Sequence, residues 1–314
     1  CLEGLVPGDD AATLDLEDLP LDLAGTFDVL AELDAGGELA PAVDSLSTSL
    51  APFAADVPGH ILDAIRGELG DPIAVEQFDT VREGDELDDL LAADLAAREV
   101  DVAESLEDLW AAVDAHLDAP AMHTVIEFGA PVDGEHDFYH TVEALEFDGV
   151  DEIYLAALQD VGQGVATPSA ADPDHLEIGP HAVGLGLGSP VAFLLDREVD
   201  QQLGADGLAE GLEQLVGCAA VVSALTESLE GVADATSILA GCQQAMAAAE
   251  SALDDGRAAL DAANGQIELE GSCRLADPGE GAQVEALEAG DLTVTWGGAE
   301  ALGPMPATFT GELQ

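Results

Sequence analysis

From position 21 the chain alternates. Leu21, Leu23, Gly25, Phe27, Val29, Ala31 and Leu33 fall on one parity, and Asp22, Ala24, Thr26, Asp28, Leu30 and Glu32 on the other. A period of two held over this length predicts a long strand with one buried face, ended by Gly36-Gly37. Leu39–Leu69 reads as one or two helices interrupted near Pro52 and Pro58, and Pro72–Val81 as a short strand. Over Asp85–Leu117 the spacing changes to threes and fours. Leu87, Leu90, Leu91, Leu95, Val102, Leu106, Leu109 and Val113 make an apolar stripe, which predicts helix. His123–Phe147 reads as strands broken by a turn at Pro131–Gly134, and Asp151–Asp160 fits helix or strand equally.

Gly162–Pro173 is rich in Gly, Pro, Ser and Ala and marks a candidate boundary. Beyond it, Leu176–Leu187 reads as a strand. Ser189-Pro190 offers an N-cap and a first-turn proline for a helix over Val191–Leu203. Two long helical patterns follow, Asp206–Leu229 and Asp234–Asn264, and their short link implies an antiparallel hairpin. Ile267–Leu275, Leu292–Trp296 and Thr308–Leu313 alternate as strands. The class predicted is α+β, with long amphipathic helices, including an antiparallel helical hairpin, packed on mostly antiparallel strands. The expected division is an acidic tether over 1–20, an N-terminal α+β domain over 21–161, and a C-terminal domain over 174–314 that carries the hairpin and the terminal strands.

Charge narrows the function classes. Asp and Glu number 66 against 6 Arg, with no Lys, for a net charge of −60 over 314 residues. Six scattered arginines make no phosphate-binding groove, which excludes nucleic acid, and no polybasic surface for anionic headgroups. Such a charge repels itself at low ionic strength, so the composition points to a saline habitat, marine or halophilic, where screening acts within about 8 Å or less. Hydrophobic content of 48% and positive mean hydropathy argue against a disordered chain.

Cysteine and histidine are the candidate reactive groups. Cys1 at the start of the chain reads as a processed lipoprotein cysteine carrying the lipid anchor, which implies export and membrane attachment through acyl chains. Cys218 and Cys242 sit at nearly equal heights on the two hairpin helices, so a disulfide between them is geometrically natural. Cys273 alternates with Ile267, Leu269 and Leu275 and reads as a buried, inert thiol. His136 and His140 form the densest histidine cluster. A spacing of four puts them on one face, where with Glu135 or Glu143 they are candidate zinc ligands, joined by His123, His175 or His181 if the fold allows. Two acidic runs are candidate calcium loops: Asp9, Asp10, Asp15, Glu17 and Asp18, and Asp277, Glu280, Glu285, Glu288 and Asp291. The opposing reading is a solvated acidic face. Gly184-Leu185-Gly186-Leu187-Gly188-Ser189 precedes a helix as a phosphate loop does, but it lacks a lysine and reads better as close packing. No GxSxG elbow or HExxH pattern is present.

The stretches Gly265–Gly271, Gly290–Trp296 and Phe309–Gly311, with Asp277, Cys1, the Cys218/Cys242 pair and the opening Leu23–Val29, resemble a class of uncharacterised myxobacterial-type outer-membrane lipoproteins. That resemblance implies export and lipidation and no particular activity. The expectation is therefore a non-enzymatic, lipid-anchored envelope protein at the outer membrane or cell surface, without cofactor, which binds another envelope protein or itself. The alternatives are a carrier of lipid or another hydrophobic ligand, and a metal-dependent hydrolase built on His136 and His140.

Overall fold

The computed structural model describes residues 22–84, 87–148, 150–154, 161–172, 174–276, 283–297 and 301–314. Alternation organises its strands. In β1 (Gly25–Leu33), Phe27, Val29, Ala31 and Leu33 are buried while Asp28 and Glu32 are exposed. β2 (Ala121–Phe128) buries Met122, Thr124, Ile126 and Phe128, and β3 (His136–Phe147) buries His136, Phe138, His140 and Val142. The remaining strands are β4 (Val150–Tyr154), β5 (Gly162–Pro168), β6 (His175–Gly184), β7 (Gln266–Ala276), β8 (Ala286–Gly297) and β9 (Leu302–Leu313).

Antiparallel neighbours run β1–β2–β3–β5–β6–β7–β8–β9, and β9 returns to β1 in the register Phe27↔Leu313 to Leu33↔Ala307. Eight strands thus close into a barrel, with β4 an extra strand on the last residues of β3. This corrects the expected α+β architecture. The strand and helix content is present, but the helices do not cover the buried face of a sheet. The inward faces of the strands cover one another, and closure leaves the barrel strands without free edges. An eight-stranded barrel is just wide enough for side chains to fill, and Phe27, Phe128 and Phe138 meet inside it with ring centroids 5.7 Å apart in succession.

The helices enter as two insertions. Between β1 and β2 lie α1 (Ala40–Ala55), α2 (Val57–Glu68), α3 (Pro72–Gly84), α4 (Leu87–Ala97) and α5 (Val102–His116). Between β6 and β7 lie α6 (Gly188–Leu203), α7 (Leu208–Val216), α8 (Cys218–Leu225) and α9 (Ala235–Ala263). β1 and β6 run in the same direction around the barrel, so both insertions leave from one end and pack together. α9 lies against α1 and α2, and α5 against α6. Of the expected boundary Gly162–Pro173, residues 162–168 are β5, and Pro173 lies outside the described residues. Strands on both sides of that segment share one barrel.

Two local readings also change. Pro72–Val81 is helical, because the Asp71 side chain accepts the Ile73 N–H at 2.9 Å and Pro72 suits a first turn. The pattern over Asp206–Leu229 is not one helix. Gly217 adopts φ +70°, which ends α7 and starts α8 in a new direction.

Candidate binding cleft and the polar barrel interior

A cleft of about 1330 Å³ opens among the described residues. Leu30, Glu32 and Asp34 of β1 and its exit, Asp291 and Thr293 of β8, and Pro306 and Thr308 of β9 line it. So do Ala115, Asp118 and Ala119 around the α5–β2 connection, and Glu146, Phe147, Asp148 and Val150 around the β3–β4 turn. Alternation explains the mixture: the outward parity of β1, β8 and β9 carries the polar side chains that do not enter the barrel. Glu32, Asp34, Asp118, Glu146, Asp148 and Asp291 make the lining acidic, the half-buried Leu30 gives it apolar surface beside the buried Leu33, Phe147, Val150, Leu292 and Ala307, and no arginine lines it among the described residues.

One side of the cleft is pinned by His116. Its Nδ1 lies 2.6 Å from the Asp148 carbonyl oxygen and its Nε2 lies 3.0 Å from Glu198 Oε1 on α6. The carbonyl oxygen and the carboxylate are both hydrogen-bond acceptors, one facing each ring nitrogen. Burial pushes the Glu198 carboxyl up, but bonds from His116 and Gln202 outweigh it and hold the group below its ordinary range. These contacts tie the first insertion, the β3–β4 turn and the second insertion together.

Inside the barrel, His140 of β3 and His181 of β6 meet across β5. Gly162 and Gly164 of β5 stand opposite His140 and Phe138. A Cβ on Gly164 would lie 2.8 Å from Phe138 Cε1 and 3.2 Å from His181 Cβ, so a bare backbone here lets the rings cross. His140 Nδ1 is 2.7 Å from His181 Nε2, and His181 Nδ1 is 3.0 Å from the Gly179 carbonyl oxygen. Burial, and next the neighbouring His181, pushes His140 down to about 3. Burial also lowers His181, although its bond to Gly179 opposes the shift. Both rings are therefore neutral near pH 7.

The residues singled out in the sequence fall in different places. Cys218 and Cys242 are joined at 2.01 Å and staple α8 to α9. Cys273 is buried, and burial pushes its thiol up to about 12, which keeps it protonated. His136 and His140 share the inward face of β3, but four residues along a strand separate them by about 13 Å, too far for one zinc ion at about 2 Å from each ring. His136 Nδ1 instead donates to the Gly129 carbonyl at 2.9 Å. His123 faces Glu146 at 3.2 Å, and His175 opens β6. Among the described residues, no group of three or more His, Cys, Asp or Glu is arranged to hold a metal. Cys1, Asp9, Asp10, Asp15, Glu17, Asp18, Asp277 and Glu280 lie outside the described residues. Of the second expected calcium run, Glu288 stands opposite Arg274 in the β7–β8 register, and Asp291 lines the cleft.

The glycine-rich run before α6 is occupied by the chain's own carboxylate. Asp261, near the end of α9, accepts the Gly188 N–H at 2.6 Å and the Ser189 hydroxyl at 3.0 Å. A Cβ on Gly188 would sit 3.0 Å from Asp261 Oδ1. An anion does sit at this helix N-terminus, but it is Asp261, which sequence spacing did not reveal. By length and composition Gly188–Leu225 also qualifies as a membrane-crossing stretch. In the fold it is α6, α7 and α8, turned at Gly204 and Gly217.

No known protein family, curated protein or solved structure matches the chain.

Proposed function

We propose that the protein is an exported, non-enzymatic binding protein that holds a basic segment of a partner protein in the cleft on the barrel's outer face. The carrying observation is the cleft: about 1330 Å³, six carboxylates and apolar surface in one concavity, with no arginine in its lining. Its size suits a chain segment better than a small metabolite, whose pockets run to about 1000 Å³. Carboxylates around apolar surface complement lysine and arginine side chains, whose stems are apolar and whose heads are charged. The Cys218–Cys242 disulfide supports an oxidising compartment. The barrel interior, filled by Phe27, Phe128, Phe138 and their neighbours, favours a rigid scaffold over a carrier of acyl chains.

Composition supplies a clean test. The chain has no lysine, so carbodiimide coupling of its carboxylates to lysine amines reports a partner's lysines, apart from any terminal amine. Cross-linking in the native envelope, mapped by peptide mass spectrometry, is expected to concentrate partner lysines on Glu32, Asp118, Glu146, Asp148 and Asp291. Cross-links spread evenly over the acidic surface would overturn the assignment.

A further inference from the structure

The buried histidine pair has a directionality that fixes where its protons sit. The Gly179 carbonyl only accepts, so His181 Nδ1 carries a proton and donates to it. In a neutral ring this leaves His181 Nε2 as a lone pair, which must receive its bond from His140 Nδ1–H at 2.7 Å. His140 in turn is left with a bare lone pair on Nε2. That atom is buried and has no hydrogen-bond partner among the described residues, and the same holds for the Thr124 hydroxyl. The two orphaned atoms belong to residues of neighbouring strands. Thr124 on β2 and His140 on β3 both face inward, and the register pairs Thr124 with Val142 and Ile126 with His140. They are therefore diagonal neighbours across one strand pair, with Cβ atoms about 7 Å apart.

We propose that His140 Nε2 and Thr124 Oγ1 hold between them a single neutral hydrogen-bond donor of water's size, as an internal site of the barrel. The occupant donates one hydrogen to the Nε2 lone pair and exchanges a second bond with the hydroxyl, which both donates and accepts. Leaving buried polar atoms unsatisfied costs free energy, and a buried water commonly makes two to four such bonds. A cation is disfavoured. The buried polar side chains on the described barrel strands are Thr124, His136, His140 and His181, none of them anionic, so a charge there would be desolvated without a counter-ion. One imidazole nitrogen and one hydroxyl also fall short of a metal's usual ligand set.

The test is long-range ¹H–¹⁵N correlation of the histidine rings in the intact folded protein, combined with water-to-protein cross-relaxation. The expected result is the Nδ1–H tautomer at both His140 and His181, with a long-lived water contact to the Thr124 methyl and the His140 ring. Thr124→Val should abolish that contact, and Thr124→Ser should retain it. An Nε2–H tautomer at His140, no water contact in the parent protein, or a contact that survives Thr124→Val would each overturn the proposal. The tautomer and contact in the parent protein decide it even if the valine variant does not fold.

Discussion

At Gly164 a missing side chain decides what the barrel can hold. With only hydrogen there, Phe138 and the two histidines lean across β5. Gly164→Ala forces Phe138 or the His140–His181 pair to move, and overpacking of this kind costs about 1–3 kcal/mol. Urea unfolding should show a lower midpoint with an unchanged slope. The histidines also set an acid limit. His140 titrates at about 3 when folded, against an ordinary value of 6.5. The unfolded chain therefore takes up this proton first, so the stability it protects is whole above pH 6.5 and is lost as pH falls from 6.5 toward 3. Between pH 6.5 and about 5 most carboxylates are still ionised. In that window the parent protein should lose about 2 kcal/mol that His140→Leu does not lose. Equal slopes for the two proteins would contradict the burial of a neutral His140. The pairing itself was not legible in the sequence, since His140 and His181 are 41 positions apart and meet over a third strand.

Among the elements, strands were the most readable, because inward and outward parity is written directly into β1, β7 and β9. Misreadings arose where one residue outweighed a pattern. Asp71 and Pro72 start a helix in a stretch whose hydrophobic spacing resembled a strand, and Gly217 divides a continuous apolar stripe into α7 and α8. The start of α6 shows the same limit. Ser189 looked like its cap, yet the cap is Asp261, a residue 73 positions from Gly188. Removing a capping side chain costs about 0.5–2 kcal/mol. Asp261→Ala should therefore destabilise the protein by that amount in chemical denaturation, while Ser189→Ala, which leaves the bond to the Gly188 N–H intact, should cost less. Equal losses would place the cap on Ser189 after all.

Over the whole molecule, what the sequence withheld was closure. Each strand's alternation is the same whether its buried face meets helices or other strands. The β1–β9 pairing that closes the ring joins the two ends of the described chain. Closure explains why the helices pack on one another at one end of the barrel, and why the outward face of β1, β8 and β9 is left to form the cleft. Charge is distributed unevenly over this plan. Arg66, Arg82, Arg98 and Arg257 pair with carboxylates among the helices, while no arginine lines the cleft. In a chain of net charge −60, a cationic ligand will be attracted everywhere, so attraction alone proves nothing about the cleft. The decisive measurement is calorimetric titration of a short peptide of alternating arginine and leucine, at fixed high salt, against two triple variants. One neutralises the cleft as Glu32→Gln, Asp118→Asn, Asp291→Asn. The other removes the same charge from exposed helical and turn positions as Glu68→Gln, Glu83→Gln, Glu227→Gln. Three pairs at about 0.5 kcal/mol each amount to about tenfold in affinity. The account predicts that loss for the cleft variant and nearly parent affinity for the other; equal weakening in both would show that the acidic surface as a whole, and not the cleft, attracts the peptide.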